Sequence, residues 1–251
     1  MGAMIKYAGL CLQGLVRTNN EDNLWYPGGC LPMLHGDLPS FSGSIVSGPA
    51  AAFAIFDGMG GEDMGEAASY LAADEFGRWA CRATGLVQGE EGAVCRAMNR
   101  AVLSYAEKKR TLGTTVVSLC FGKKEIFGFN LGDSRCYRLS EGELYALSTD
   151  HAMVSPITRR SRLTQCLGIP ETDFILEPAV YAADYSEGDI FLLCSDGLTS
   201  MVNPVRIQSE LAGSGDPKEK IEALREMVFS RGAEDNVTML LFEVGRAAEA
   251  E

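Results

Sequence analysis

Short apolar runs closed off by Gly, Asp or Lys divide this chain into strand-sized pieces. Residues 5–16 alternate loosely between apolar and polar and contain Gly9 and Gly14, which predicts a strand leading into an exposed turn. Residues 26–49 are rich in Gly, Pro and Ser and read as a long loop. Residues 50–56 form a continuous apolar run that stops abruptly at Asp57-Gly58, as a buried strand stops at a turn.

The period then lengthens. Residues 65–82 and 90–109, rich in Ala, Leu and Glu and separated by Gly85 and Gly89, predict an antiparallel helix pair. In the first helix Leu71, Glu75, Arg78 and Trp79 place apolar and charged groups on different faces. After Gly113 a strand pattern returns over 114–121, 125–130, 136–139 and 143–146, with turns at Gly122-Lys123 and Glu141-Gly142, which suggests a meander of hairpins. A strand over 189–195 runs into Asp196-Gly197, a helix covers 217–229, and a last strand spans 237–244. Runs of strands with clustered helices favour an α+β fold over an alternating parallel one. The 251 residues are expected to form one large domain, 1–245, with a short tail at 246–251.

Composition narrows the function classes. Hydrophobic residues at 46% and charged residues at 22% are ordinary for a globular chain with a sizeable core. The net charge of −12 argues against nucleic acid, which needs clustered Lys and Arg to displace counterions. An acidic surface also repels phosphate substrates unless cations sit in the site, although solubility alone accounts for the charge equally well. Eight cysteines without a CxxC spacing, with Cys120 and Cys194 inside apolar strands, suit a reducing compartment. The first residues lack a signal-peptide pattern, Lys6 stands where myristoylation prefers Ser or Thr, and no apolar run nears the roughly 20 residues that span a bilayer. A soluble, cytoplasmic monomer without a membrane partner is expected.

The candidate chemistry is carboxylate chemistry. Four apolar runs deliver an aspartate beside a turn or strand start: AIFDG at Asp57, FNLGD at Asp133, LLCSDG at Asp196 and AEDN at Asp235. Each alone is ordinary turn chemistry. Together, carboxylates at the ends of buried strands are costly unless hydrogen-bonded, protonated or bound to cations. Oxygen ligands without neighbouring His or Cys select hard ions, Mg²⁺ or Mn²⁺ rather than zinc. Gly58 would let its carbonyl join them. In VRTNNED, Arg17 is a bidentate phosphate partner and Glu21 a holder of metal-bound water, or the two form a surface ion pair. The Gly-rich stretch 58–69 lacks both nucleotide-binding patterns, so its glycines serve the turn.

In order, VRTNNED (16–22), FDGMGG (56–61), GEAAS (65–69), GTT (113–115), NLGDSRCYR (130–138), TDHAMV (149–154), LTQCLG (163–168), EGDIFLLCSDGL (187–198) and EDNVT (234–238) resemble the metal-dependent protein phosphatase family, the protein phosphatase 2C type, in its bacterial branch. The resemblance implies a central β-sandwich of two antiparallel sheets flanked by helix pairs, a four-layer αββα arrangement. It implies two Mn²⁺ or Mg²⁺ ions bridged by Asp57 and completed by the Gly58 carbonyl, Asp196 and Asp235, with Glu21 acting through water. Asp133 and Asp196 match a third, weaker site, and Arg17 matches the phosphate-binding arginine. The implied reaction is hydrolysis of phosphoserine and phosphothreonine in proteins by hydroxide generated between two ions. A cognate Ser/Thr kinase and its substrates are the implied partners.

Departures accompany the match. Met59 replaces the His of a DGH motif, so the proton for the leaving oxygen is assigned to metal-bound water, with His151 structural and His35 in the long loop. Glu62 stands where many members have His, and the flap between His151 and Leu163 is short. Alternatives are a catalytically weak, regulatory binding module, which the complete ligand set opposes, and a metal-dependent nuclease or nucleotide phosphohydrolase, for which no basic groove or nucleotide motif is seen.

Overall fold

The computed structural model describes residues 2–49, 51–60, 64–105, 112–154, 161–170, 172 and 175–247. In chain order the elements begin with β1 (Ala3–Leu12), β2 (Asn23–Tyr26), β3 (Gly29–Cys30), β4 (Leu38–Val46), β5 (Ala52–Phe56), β6 (Gly58–Gly60), α1 (Gly65–Ala80) and α2 (Glu91–Tyr105). Next come β7 (Leu112–Thr114), β8 (Val116–Phe121), β9 (Glu125–Leu131), β10 (Arg135–Ser140), β11 (Glu143–Ala146), β12 (Ala152–Val154) and β13 (Ser161–Leu163). The chain ends through β14 (Ala179–Asp184), β15 (Ile190–Cys194), α3 (Asp196–Thr199), α4 (Pro204–Ala212), α5 (Pro217–Phe229) and β16 (Val237–Ala247).

Alternation along the central strands builds the layers. In β15, Ile190, Leu192 and Cys194 face a core shared with α3, α4 and α5, whereas Phe191 and Leu193 face the opposite way. In β5, Ala52, Ala54 and Phe56 pack on α1 and α2, whereas Phe53 and Ile55 meet residues of β15 and β16. Both faces of these strands are buried, which is why they read as unbroken apolar runs. Two six-stranded antiparallel sheets result, ordered β11-β10-β15-β16-β1-β4 and β14-β9-β8-β5-β2-β3, with helices on their outer faces. Phe53 lies edge-on to Phe242 at 4.6 Å and to Tyr7 at 5.2 Å between the sheets. The expected α+β sandwich with flanking helices is the observed architecture.

Several expectations change in detail. The expected loop 26–49 contains β3 and the nine-residue β4, which pairs with β1 at a sheet edge. An edge tolerates Pro39 and the Gly and Ser residues that disguised it. The meander is divided: β8 and β9 pair in one sheet, whereas β10 and β11 pair in the other. The two predicted turns stand, and Glu141 and Gly142 both take positive φ, 53° and 84°, as a two-residue hairpin turn requires. Helix α4, capped by Asn203 accepting from the Arg206 amide, and the edge strand β14 were not anticipated. The expected end of the second helix, after Tyr105, and Glu62 and much of the flap lie outside the described residues. No described helix is long and apolar enough to cross a membrane.

Candidate active site

All four singled-out aspartates stand at one end of the sandwich. Asp57 joins β5 to β6, Asp133 lies in the β9–β10 turn, Asp196 opens α3 directly after β15, and Asp235 precedes β16. The register makes these ends coincide, since Cys194 pairs with both Arg135 and Met239, and Val116 pairs with Leu131 beside the Ile55–Val117 pair. They line a cleft of about 230 Å³ together with Arg17, Glu21 and Gly58. Every residue singled out for ligation or phosphate binding is therefore brought to one place.

Backbone clamps position these groups. The Asp57 amide donates to Thr115 Oγ1 at 3.1 Å, and its carbonyl accepts from Thr114 Oγ1 and from the Thr115 amide. The Gly58 amide donates to the Glu21 carbonyl, and a Cβ at Gly58 would fall 2.3 Å from the carbonyl oxygens of Glu21 and Gly65, so only glycine fits. His151 braces the turn before Asp133: its amide donates to the Gly132 carbonyl, and its Nδ1 accepts from the Gly132 amide at 3.3 Å. Burial lowers its pKa, which suits an imidazole that accepts a hydrogen bond. Neither His151 nor His35 lines the cleft; the ring nitrogens of His35 lie 2.9 Å from the carbonyls of Asp22 and Gly36.

The N-terminal loop is fastened from the opposite end of the chain. Asn236 Nδ2 donates to the carbonyls of Gln13 and Asn19, and its Oδ1 accepts from the Glu21 amide at 2.8 Å. Arg17 donates through Nη2 to Asp235 Oδ2 at 2.7 Å, so its ion-pair partner is Asp235 rather than Glu21. The Glu21 carboxylate lies against the start of α1, where a Cβ at Gly65 would stand 2.6 Å from Glu21 Cδ. The positive end of a helix favours a carboxylate there.

Two contributors escaped sequence reasoning. Asp22, only 1% exposed, accepts from Ser195 Oγ at 2.9 Å and from Thr238 Oγ1 at 2.6 Å beneath the cleft. Its adjacency to Glu21 was visible, but its burial depended on residues more than 170 positions away. Asn236 likewise gave no signal beyond following Asp235.

The cleft is electrostatically unfinished. Burial, followed by repulsion from its carboxylate neighbours, pushes Asp57 well above the usual carboxylate range and raises Asp196. The same causes, burial first, push Asp133 up to about 6, and burial pushes Asp22 up to about 7 against the hydrogen bonds from Thr238 and Ser195. Arg17 is the only cationic side chain lining the cleft among the described residues. A divalent cation would relieve this repulsion, and an all-oxygen donor set without His or Cys fits Mg²⁺ or Mn²⁺. Among the described residues no three His, Cys, Asp or Glu side chains already form a metal-holding group.

Comparison with known proteins follows the same line. The protein phosphatase 2C profile matches residues 40–229. The serine/threonine phosphatase stp of Listeria welshimeri is 30% identical over 208 residues, covering 75% of this chain and 82% of that protein. The structure of the Mycobacterium tuberculosis serine/threonine phosphatase PstP superposes with a TM-score of 0.77 at 26% identity, covering 97% of this chain and 100% of that one. The catalytic domain of PstP in complex with two manganese ions also matches, with a TM-score of 0.77, 27% identity and coverage of 96% and 99%. Sandwich, acidic cleft and ordered motifs thus agree with sequence and structural kinship: the chain belongs to the protein phosphatase 2C family, among the bacterial serine/threonine protein phosphatases.

Proposed function

We propose that this chain hydrolyses phosphoserine and phosphothreonine monoesters in proteins, with Mn²⁺ or Mg²⁺ held by Asp57, the Gly58 carbonyl, Asp196 and Asp235, and Glu21 acting through water. The observation that carries this reading is the convergence of Asp57, Asp133, Asp196 and Asp235 with Arg17 in one cleft of oxygen donors. The two manganese ions in the PstP complex support the count. When bound, such a pair of ions supplies Lewis acidity and lowers the pKa of water toward neutrality.

The chain's own groups do the rest. Asp57, its backbone clamped by Thr114 and Thr115, would be a carboxylate holding the ions. Asp133, which lines the same cleft, would join Asp196 at a weaker third site. Arg17 spends one amino group on Asp235, and its planar fork keeps further N–H donors for a phosphoryl group. Among the described residues no histidine lines the cleft, so the leaving seryl or threonyl oxygen takes its proton from water. The reaction is direct attack without a covalent phosphoenzyme. The reading extends to a cytoplasmic partner kinase and its substrates.

The test is hydrolysis of p-nitrophenyl phosphate with and without Mn²⁺. Turnover is expected only with the cation and is expected to fall at least a hundredfold in Asp57→Asn and Asp196→Asn, in line with the loss of a pivotal electrostatic group at about 10²–10³. Cation-independent binding of phosphoproteins without turnover would instead favour a regulatory binding module.

A further inference from the structure

Beside the catalytic cleft lies a second, apolar one of about 410 Å³, walled by Met59, Leu112, Cys166, Leu167, Ile169 and Pro170. The two share Met59 and Gly60, so one opens alongside the other. Its floor is built by strand pairing. Met59 pairs with Gly113 and Gly60 with Leu112 across the β6–β7 ribbon, and Thr114 bridges to Leu167. A Cβ at Gly113 would lie 2.9 Å from the Leu167 carbonyl, so glycine lets the ribbon and the 166–170 segment close up.

This groove is preformed. Asn99, fully buried on α2, accepts from the Gly168 amide at 2.7 Å and donates to the Ile169 carbonyl at 2.9 Å, which fixes the outer wall. Gly168 has φ +96°, and a Cβ there would fall 2.1 Å from the Leu112 carbonyl. Burial pushes the Cys166 thiol up to about 11, so it stays neutral and adds to the apolar lining. A rigid apolar cleft with few polar groups is the usual form of a side-chain pocket, and rigidity cuts the ordering cost of binding.

A phosphoprotein whose phosphoryl group enters the acidic cleft must run its polypeptide out past the rim. Met59 and Gly60 line both clefts, so a chain leaving the acidic one on that side meets the groove. We infer that the groove takes an apolar side chain, of Leu, Met or Phe size, adjoining the phosphorylated residue, and so selects phosphoprotein substrates carrying one. This rests on the reading of the acidic cleft as the hydrolytic site.

The test uses synthetic phosphothreonine peptides, identical except for a single Leu or Ser placed in turn at each position within three residues of the phosphothreonine. Phosphate release with Mn²⁺ gives kcat/KM for each. At one position Leu is expected to exceed Ser about tenfold, mostly through KM, the scale of burying one aliphatic side chain. The ratio is expected to fall toward one in Ile169→Ser and to survive in Ile169→Val. A ratio within about twofold at all positions, or one indifferent to Ile169→Ser, overturns the groove while the reaction stays dependent on Asp196. Phosphate release that survives Asp196→Asn overturns the cleft reading and the groove with it.

Discussion

At the residue scale, Asn236 holds more of the cleft together than its place after an aspartate suggests. Its three side-chain hydrogen bonds tie Gln13, Asn19 and the Glu21 amide to the start of β16, so Arg17, Glu21 and Asp235 share one frame. Replacing it with Ala leaves three part-buried backbone groups unpaired. Asn236→Ala is expected to lose about 2 kcal/mol of stability by urea unfolding, and to weaken Mn²⁺ binding in calorimetric titration. His151 illustrates the opposite lesson, since a histidine near an active site invites a catalytic role. Its ring accepts a hydrogen bond from Gly132 instead. His151→Asn, which keeps an acceptor, is therefore expected to retain p-nitrophenyl phosphate turnover better than His151→Ala, with no limb lost from the pH profile of either.

At the element scale, helix α5 was readable to the residue because its start signal is local. Asp216 accepts from the amides of Lys218 and Glu219, Glu219 returns a bond to the Asp216 amide, and Pro217 opens the helix. Asp216→Ala is expected to cost about 1 kcal/mol in chemical denaturation, without changing turnover. Strand β4 was hidden for the converse reason. Its Gly43 is dictated by a distant side chain, since a Cβ there would fall 2.6 Å from Tyr7 Oη, and its exposed side needs no apolar residues. Strand β14 hid in the same way, alternating half-buried and exposed residues at the other sheet's edge.

For the whole molecule, the charge pattern links stability to pH and metal. Asp22 and Asp133, pushed up to about 7 and about 6, and the raised Asp57 and Asp196 bind more protons folded than unfolded below those values. Stability of the metal-free protein therefore falls as pH rises from about 4 through 7, the range between the ordinary carboxylate pKa and the raised values. Thermal melts of metal-free protein are expected to give a lower Tm at pH 8 than at pH 6. Mn²⁺ at a fixed concentration of about 100 times its Kd at pH 8 contributes roughly 2.7 kcal/mol there, or about 5–10 °C in Tm, and less at pH 6, where protons compete for the carboxylates. The packing between the sheets is a separate reservoir: Phe53→Ala, at a fully buried position, is expected to cost about 3–5 kcal/mol.

What the sequence by itself determined is whatever depends on neighbours along the chain. Apolar runs stopping at Asp57-Gly58 and Asp196-Gly197 marked two buried strands and placed an aspartate at the end of each, and composition and helical period marked α1 and α2. The ordered motifs carried the family and the choice of Arg17, Glu21, Asp57, Gly58, Asp133, Asp196 and Asp235. Only the tertiary structure decided which strands share a sheet, that Arg17 pairs with Asp235 rather than Glu21, and that Asp22 is buried under Ser195 and Thr238. The physical reason is range. Strand period and capping are set by adjacent residues, whereas desolvation and ion pairing depend on what the fold brings within a few ångströms. The acidic cleft needs both, for Asp57, Asp133 and Asp196 follow the ends of their strands and Asp235 comes just before one starts, and only the registry of the two sheets makes those ends one site.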